Sequence, residues 1–118
     1  MRPWILLAAV NGLMAVVFAA YAAHGLSGLA PLVERASQMQ MAHALVLLAI
    51  DRFAADGNRL ARLAGALFVL GIVLFSGTLY VKALAGPVLP GILTPAGGIS
   101  FILGWLILAG MSLKYRNG

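Results

Sequence analysis

The chain has 118 residues, of which 63% are hydrophobic and only 9% charged, and its mean hydropathy is +1.02. A water-soluble domain carries about 25% charged residues to cover its surface, so this chain has too little polar material to face water on all sides, and a bilayer reading follows. Its net charge of +5 rests on eight dispersed basic residues, which suit loops beside anionic headgroups better than a nucleic-acid surface; with no cysteine, disulfides, thiolate metal sites and cysteine nucleophiles are excluded.

A helix that crosses a bilayer needs about 20 mostly apolar residues. The first predicted span is 4–23, apolar except for Asn11 and Tyr21. Ala20-Tyr21-Ala22 resembles a signal-peptidase site, so a cleaved leader competes with this reading; a retained spanning helix is expected. The second span, 37–55, has the weakest signal. Continuous apolarity over 41–50 is too short and is interrupted by His43, and extending it brings in Gln38, Gln40, Asp51 and Arg52. Those side chains predict a helix shielded by its neighbours, and Pro31 can open a helical lead-in before it. The third span, 63–84, follows Arg59 and Arg62 and carries Lys82 near its end, where a lysine extends its ammonium to the headgroups. The fourth, 96–113, is closed by Lys114 and Arg116, and Thr94-Pro95 reads as an N-cap followed by proline at the first helical position. The connection 86–94 contains Pro87, Pro90 and Gly91 and no charge. It is expected on the membrane surface or dipping between helices.

The expected fold is thus an all-α membrane protein, one domain over 1–118, forming a four-transmembrane-helix bundle. Cytoplasmic loops are enriched in Lys and Arg. Four spans put Arg2, Arg52, Arg59, Arg62, Lys114 and Arg116 on one side and Arg35 and Lys82 on the other, which predicts both termini inside.

On this topology Tyr21, His24, Gln40, His43, Tyr80 and Thr94 collect at the outer end and form the candidate polar pocket. Asn11 at middle depth and Asp51–Arg52 near the inner surface, read as a local ion pair or a charged helix end, remain apart. Gln40, His43, Leu47 and Asp51 share one helical face, which should point inward because polar side chains are costly against lipid. Ala8, Gly12, Ala15, Ala19 and Ala23 recur at near four-residue spacing, and with Gly71, Gly77, Gly97, Gly98, Gly104 and Gly110 they are expected to let helices pack closely. Tyr80 with Lys82, and Trp4, read as interfacial anchors, and Trp105 as a packing residue.

Several stretches are recognisable together: Tyr21-Ala22-Ala23-His24-Gly25, Gln40-Met41-Ala42-His43-Ala44-Leu45, Leu74-Phe75-Ser76-Gly77-Thr78-Leu79-Tyr80 with Ala83-Leu84-Ala85-Gly86, and Thr94-Pro95-Ala96-Gly97-Gly98 with Gly104-Trp105. In this order the chain resembles the domain of unknown function 423 family of small bacterial inner-membrane proteins, with animal relatives called transmembrane protein 256. The resemblance implies a four-helix protein of the bacterial inner membrane. It supplies no activity and no catalytic residues.

His24 and His43 as metal or haem ligands make an incomplete zinc site unless Glu34 or water contributes, and His24 lies too near the bundle edge for a buried haem. No metal and no cofactor are expected. Nothing resembles a Ser-His-Asp set, a phosphate loop or a metalloprotease helix, so no enzyme is expected. The expected function is an accessory, assembly or self-associating helical module whose partners are the lipid bilayer and a membrane protein or a second copy, with no nucleic acid. The alternative is binding or transport of an ion or a quinone- or lipid-like amphiphile through the outer pocket, although Asn11 and Asp51 continue that pocket only as a broken polar line.

Overall fold

The computed structural model describes residues 1–25 and 28–113, and among them every regular element is helical. Helix α1 spans Pro3–His24, α2 Ala30–Ala55, α3 Arg59–Ala85 and α4 Leu93–Ser112. Lys114 and Arg116, expected to close the last helix, lie outside the described residues. Helices α1, α3 and α4 are each long and apolar enough to cross a membrane.

The helix ends follow from local chemistry. Pro3 occupies the first turn of α1, where its missing N–H costs nothing. The Asn58 side chain caps α3 by accepting from the Leu60 and Ala61 amides at 2.9 and 3.1 Å. Gly86 ends α3 at φ 87°, a conformation that suits a residue without Cβ. Helix α2 starts seven residues before the expected 37, with Pro31 in its first turn. Helix α4 starts at Leu93 rather than 96, and the Thr94 cap is corrected: Ile92 holds the cap position, while the Thr94 hydroxyl meets that of Thr78 at 2.6 Å.

Helices α2 and α3 form the inner pair, with α1 packed on α2 and α4 on α3. The inward face of α2 runs Val33, Ala36, Gln40, His43, Leu47, Ile50 and Ala54, all buried, at the three- and four-residue steps of a single helical stripe. The outer helices turn large apolar side chains outward: Leu13, Val16 and Val17 on α1, Ile99, Ile102 and Leu106 on α4, each more than half exposed. A continuous exposed apolar surface of this kind is matched by lipid tails. Two apolar clusters fill the inside. One centres on Leu47, Ile50, Phe68 and Phe101, the other on Ala22, Val33, Ala36 and Leu79, and Phe75 packs against both.

Helix α3 widens into a π-helical segment over Ile72–Gly77. This is where α4 comes closest: a Cβ at Gly97 would stand 2.4 Å from the Phe75 amide nitrogen and 2.8 Å from the Leu74 carbonyl carbon. Gly71 and Gly104 likewise lie flat under the rings of Phe101 and Phe68, and Gly65, unremarked in the sequence, lies under Trp4. Gly12, Gly98 and Gly110 have nothing within 4 Å of a would-be Cβ, and Gly77 only a carbonyl at 3.9 Å, so no close helix approach rests on them. Ala15 is buried and Ala19 exposed.

The two glycine classes separate in a direct test. Gly97→Ala forces a methyl into backbone that cannot rotate away and is expected to cost about 1–3 kcal/mol, whereas Gly98→Ala, in open space, should keep or slightly raise stability. Thermal unfolding in detergent followed by circular dichroism measures both; equal melting temperatures would contradict the close approach.

Candidate functional site

Polar side chains inside a bundle need partners inside the bundle, because hydrocarbon offers none. Gln40 is 1% exposed and lies at the centre of such a set. Its Nε2 donates to Asn11 Oδ1 at 2.9 Å, and its Oε1 accepts from the Tyr80 hydroxyl at 2.7 Å. Asn11 in turn donates through Nδ2 to the Leu7 carbonyl at 2.9 Å. A directed chain of hydrogen bonds therefore crosses from α3 through α2 to α1 and ends on a helix carbonyl. The Tyr80 ring stacks on Phe18, with centroids 3.8 Å apart and an interplanar angle of 11°.

One turn further along α2, His43 builds a second set with α4. Its Nε2 faces Trp105 Nε1 at 3.2 Å and its Nδ1 faces the Met39 carbonyl at 2.7 Å. An indole nitrogen can only donate, so Nε2 accepts and Nδ1 carries the proton. The imidazole is stacked on Phe101 at 3.8 Å and flanked by Phe68 at 5.3 Å. Both ring nitrogens are committed, and the lone pair that a metal would need points at a hydrogen. Nearby, Ser76 Oγ donates to the Ala36 carbonyl at 2.7 Å and Ser100 Oγ to the Leu67 carbonyl at 2.6 Å, tying α3 to α2 and α4 to α3.

The six residues expected in one outer pocket are in fact divided. Gln40 and Tyr80 bond to each other; His43 belongs to the Trp105 set; Thr94 pairs with Thr78; Tyr21 and His24 are exposed at the end of α1. On α2, Gln40 and His43 lie between Val33 and Ala36 of one apolar cluster and Leu47 and Ile50 of the other. Tyr80, read as an interfacial anchor, is 5% exposed and bonds Gln40, while Lys82 is exposed. The expected Asp51–Arg52 ion pair is not formed. Asp51 is bound by Arg2, through Nε at 3.2 Å and through Nη2, and Arg52 points outward.

Sequence reasoning left Asn11 and Arg2 out of the polar sets. Asn11 carried a usable signal, since a lone amide in the middle of an apolar helix has to find a partner. Arg2 carried a weaker one, as the basic residue at the same end as Asp51 on the neighbouring helix.

An apolar outer surface, three helices that can cross a bilayer and an interior set of hydrogen-bonded polar side chains define a small helical membrane protein. The chain belongs to the family described as protein of unknown function (DUF423), whose model matches residues 18–98. It is 41% identical to a UPF0382 membrane protein of Staphylococcus epidermidis over 99% of this chain and 100% of that one. It is also 38% identical to the UPF0382 membrane protein YwdK of Bacillus subtilis, over 98% and 99% of the two chains, and 34% identical to a UPF0382 membrane protein of Haemophilus influenzae, over 97% and 96%. No solved structure matches the chain.

The Gln40–Tyr80 bond makes a measurable coupling. Gln40→Leu strands both the Tyr80 hydroxyl and the Asn11 carbonyl and should cost about 1–3 kcal/mol. Adding Tyr80→Phe to that variant should cost much less than Tyr80→Phe does alone. A double-mutant cycle on thermal or denaturant unfolding in micelles gives the number; strict additivity would mean that the bond contributes nothing.

Proposed function

We propose that this protein is a four-pass component of the bacterial inner membrane, with both termini in the cytoplasm, that works without catalysis as a helical module associating with a membrane protein or a second copy of itself. The observation that carries this reading is the closure of the interior. Among the described residues, no buried side-chain nitrogen or oxygen is without a hydrogen-bond partner. Gln40, His43 and Tyr80 each place a hydrogen bond on a neighbouring helix, which supports a structural role for these side chains. Recognition then falls to the outer surface.

Helix α2 supports the fourth pass. Its outward face is apolar in the middle, at Leu45 and Leu48, and charged or polar near the ends, at Glu34, Arg35 and Gln38 on one side and Arg52 on the other. Long basic side chains reach headgroups from such positions. The orientation is supported by the gathering of Arg2, Arg52, Arg59 and Arg62 at a single end, where Arg2 bonds Asp51 and Arg62 Nη2 donates to the Ala54 carbonyl at 3.2 Å. Lateral association is supported by small residues on the outside of α1 and α4, including the exposed Ala19, Ala23 and Gly110 and the half-buried Gly98.

Extraction from native membranes in mild detergent, followed by native mass spectrometry, tests the association. A species heavier than the single chain is expected, and free monomer as the sole species would overturn the proposal. Because the chain has no cysteine, single replacements report topology cleanly. Val88→Cys should react with a membrane-impermeant maleimide on intact spheroplasts, and Asp56→Cys only after permeabilisation; the reverse pattern would invert the orientation.

A further inference from the structure

The basic end of the bundle contains a cavity of about 330 Å³ lined by Arg2, Pro3, Trp4, Asp51, Ala55 and Arg62. Two guanidinium groups border it, Arg2 just before α1 and Arg62 in the first turn of α3. Arg2 spends two donors on Asp51, which neutralises the carboxylate in the cavity wall. Arg62 spends one donor on the Ala54 carbonyl and forms no ion pair among the described residues, which leaves most of its fork free there. The cavity thus holds one unbalanced positive charge and several free N–H donors. Its third side is the indole of Trp4, a ring that favours the depth of lipid headgroups. Bidentate arginine donors fit phosphate oxygens in both spacing and charge.

We infer that this cavity is a binding site for a phosphate ester, supplied by the headgroup of an anionic phospholipid: Arg62 takes the phosphate oxygens, Arg2 supports them from across the cavity, and Trp4 packs on the glycerol. A lipid bound here bridges the start of α1, the end of α2 and the start of α3, which is where the Arg2–Asp51 and Arg62–Ala54 contacts already converge. The site is independent of whether the protein self-associates.

The purified protein is mixed in micelles with phosphatidylglycerol, phosphatidylcholine or inorganic phosphate, and adducts are counted by native mass spectrometry. One phosphatidylglycerol should be retained in preference to phosphatidylcholine. Arg62→Gln should weaken retention about tenfold, as expected for loss of one charge-assisted contact. Arg59→Gln, which removes the same charge from an exposed site outside the cavity lining, should leave it unchanged. Should Arg62→Gln fail to fold, Ala55→Glu places a carboxylate in the cavity from an exposed helical position and should abolish retention while helicity is kept. Displacement of the lipid by millimolar inorganic phosphate would uphold the phosphate chemistry and assign it to a soluble source. Equal loss in Arg59→Gln and Arg62→Gln, or no preference for phosphatidylglycerol, would overturn the site.

Discussion

A helix that carries a glutamine, a histidine and an aspartate on one stripe is unstable against hydrocarbon unless other helices supply partners for all three. That requirement organises this protein. Helix α2 presents Gln40, His43 and Asp51 along its inward face, and each is answered from a different direction: Gln40 by Asn11 of α1 and Tyr80 of α3, His43 by Trp105 of α4, and Asp51 by Arg2 at the start of α1. Interhelical hydrogen bonds in membranes contribute only about 0.6 kcal/mol each on average, so the set adds modest stability. Its larger effect is on specificity. A helix rotated by one position would strand several buried polar atoms at once, each costing far more than its bond contributes.

Direction within the set strengthens this selection. Asn11 donates to a carbonyl of its own helix, so its oxygen is left to accept from Gln40, and the Gln40 oxygen is then left to accept from Tyr80. Likewise the indole of Trp105 can only donate, which sets the tautomer of His43. Such a chain has one consistent arrangement. The apolar parts comply with it. Gly71, Gly97 and Gly104 bring α3 and α4 close enough for Phe101 to stack on His43, and the π-helical turn of α3 falls where Gly97 meets its backbone. The widened turn also holds Ser76, which bonds α2.

The consequence for function is a division between interior and surface. The buried polar side chains belong to the architecture. On the surface, α1 and α4 turn large apolar side chains outward, and at the basic end Arg62 donates to the Ala54 carbonyl. The relatives' description as membrane proteins accords with the apolar outer surface.

Much of this architecture was legible in the chain itself. Composition demanded lipid, three apolar runs marked the outer helices and one inner helix, and the spacing of Gln40, His43, Leu47 and Asp51 identified the buried stripe of α2, since helical periodicity is a local property. The likeness of whole stretches to a known family was equally readable. Pairing was not. Whether Asp51 bonds Arg52 beside it or Arg2 across the bundle, whether Tyr80 faces headgroups or Gln40, and which glycines lie beneath a ring depend on helix rotation and relative height. Those quantities are set by simultaneous satisfaction of every buried polar atom and by close packing, and no segment contains that information alone. Residues 21, 24 and 94 were grouped with Gln40 for the same reason: being near one end of a bundle places side chains at a common depth, and only tertiary packing decides which of them touch.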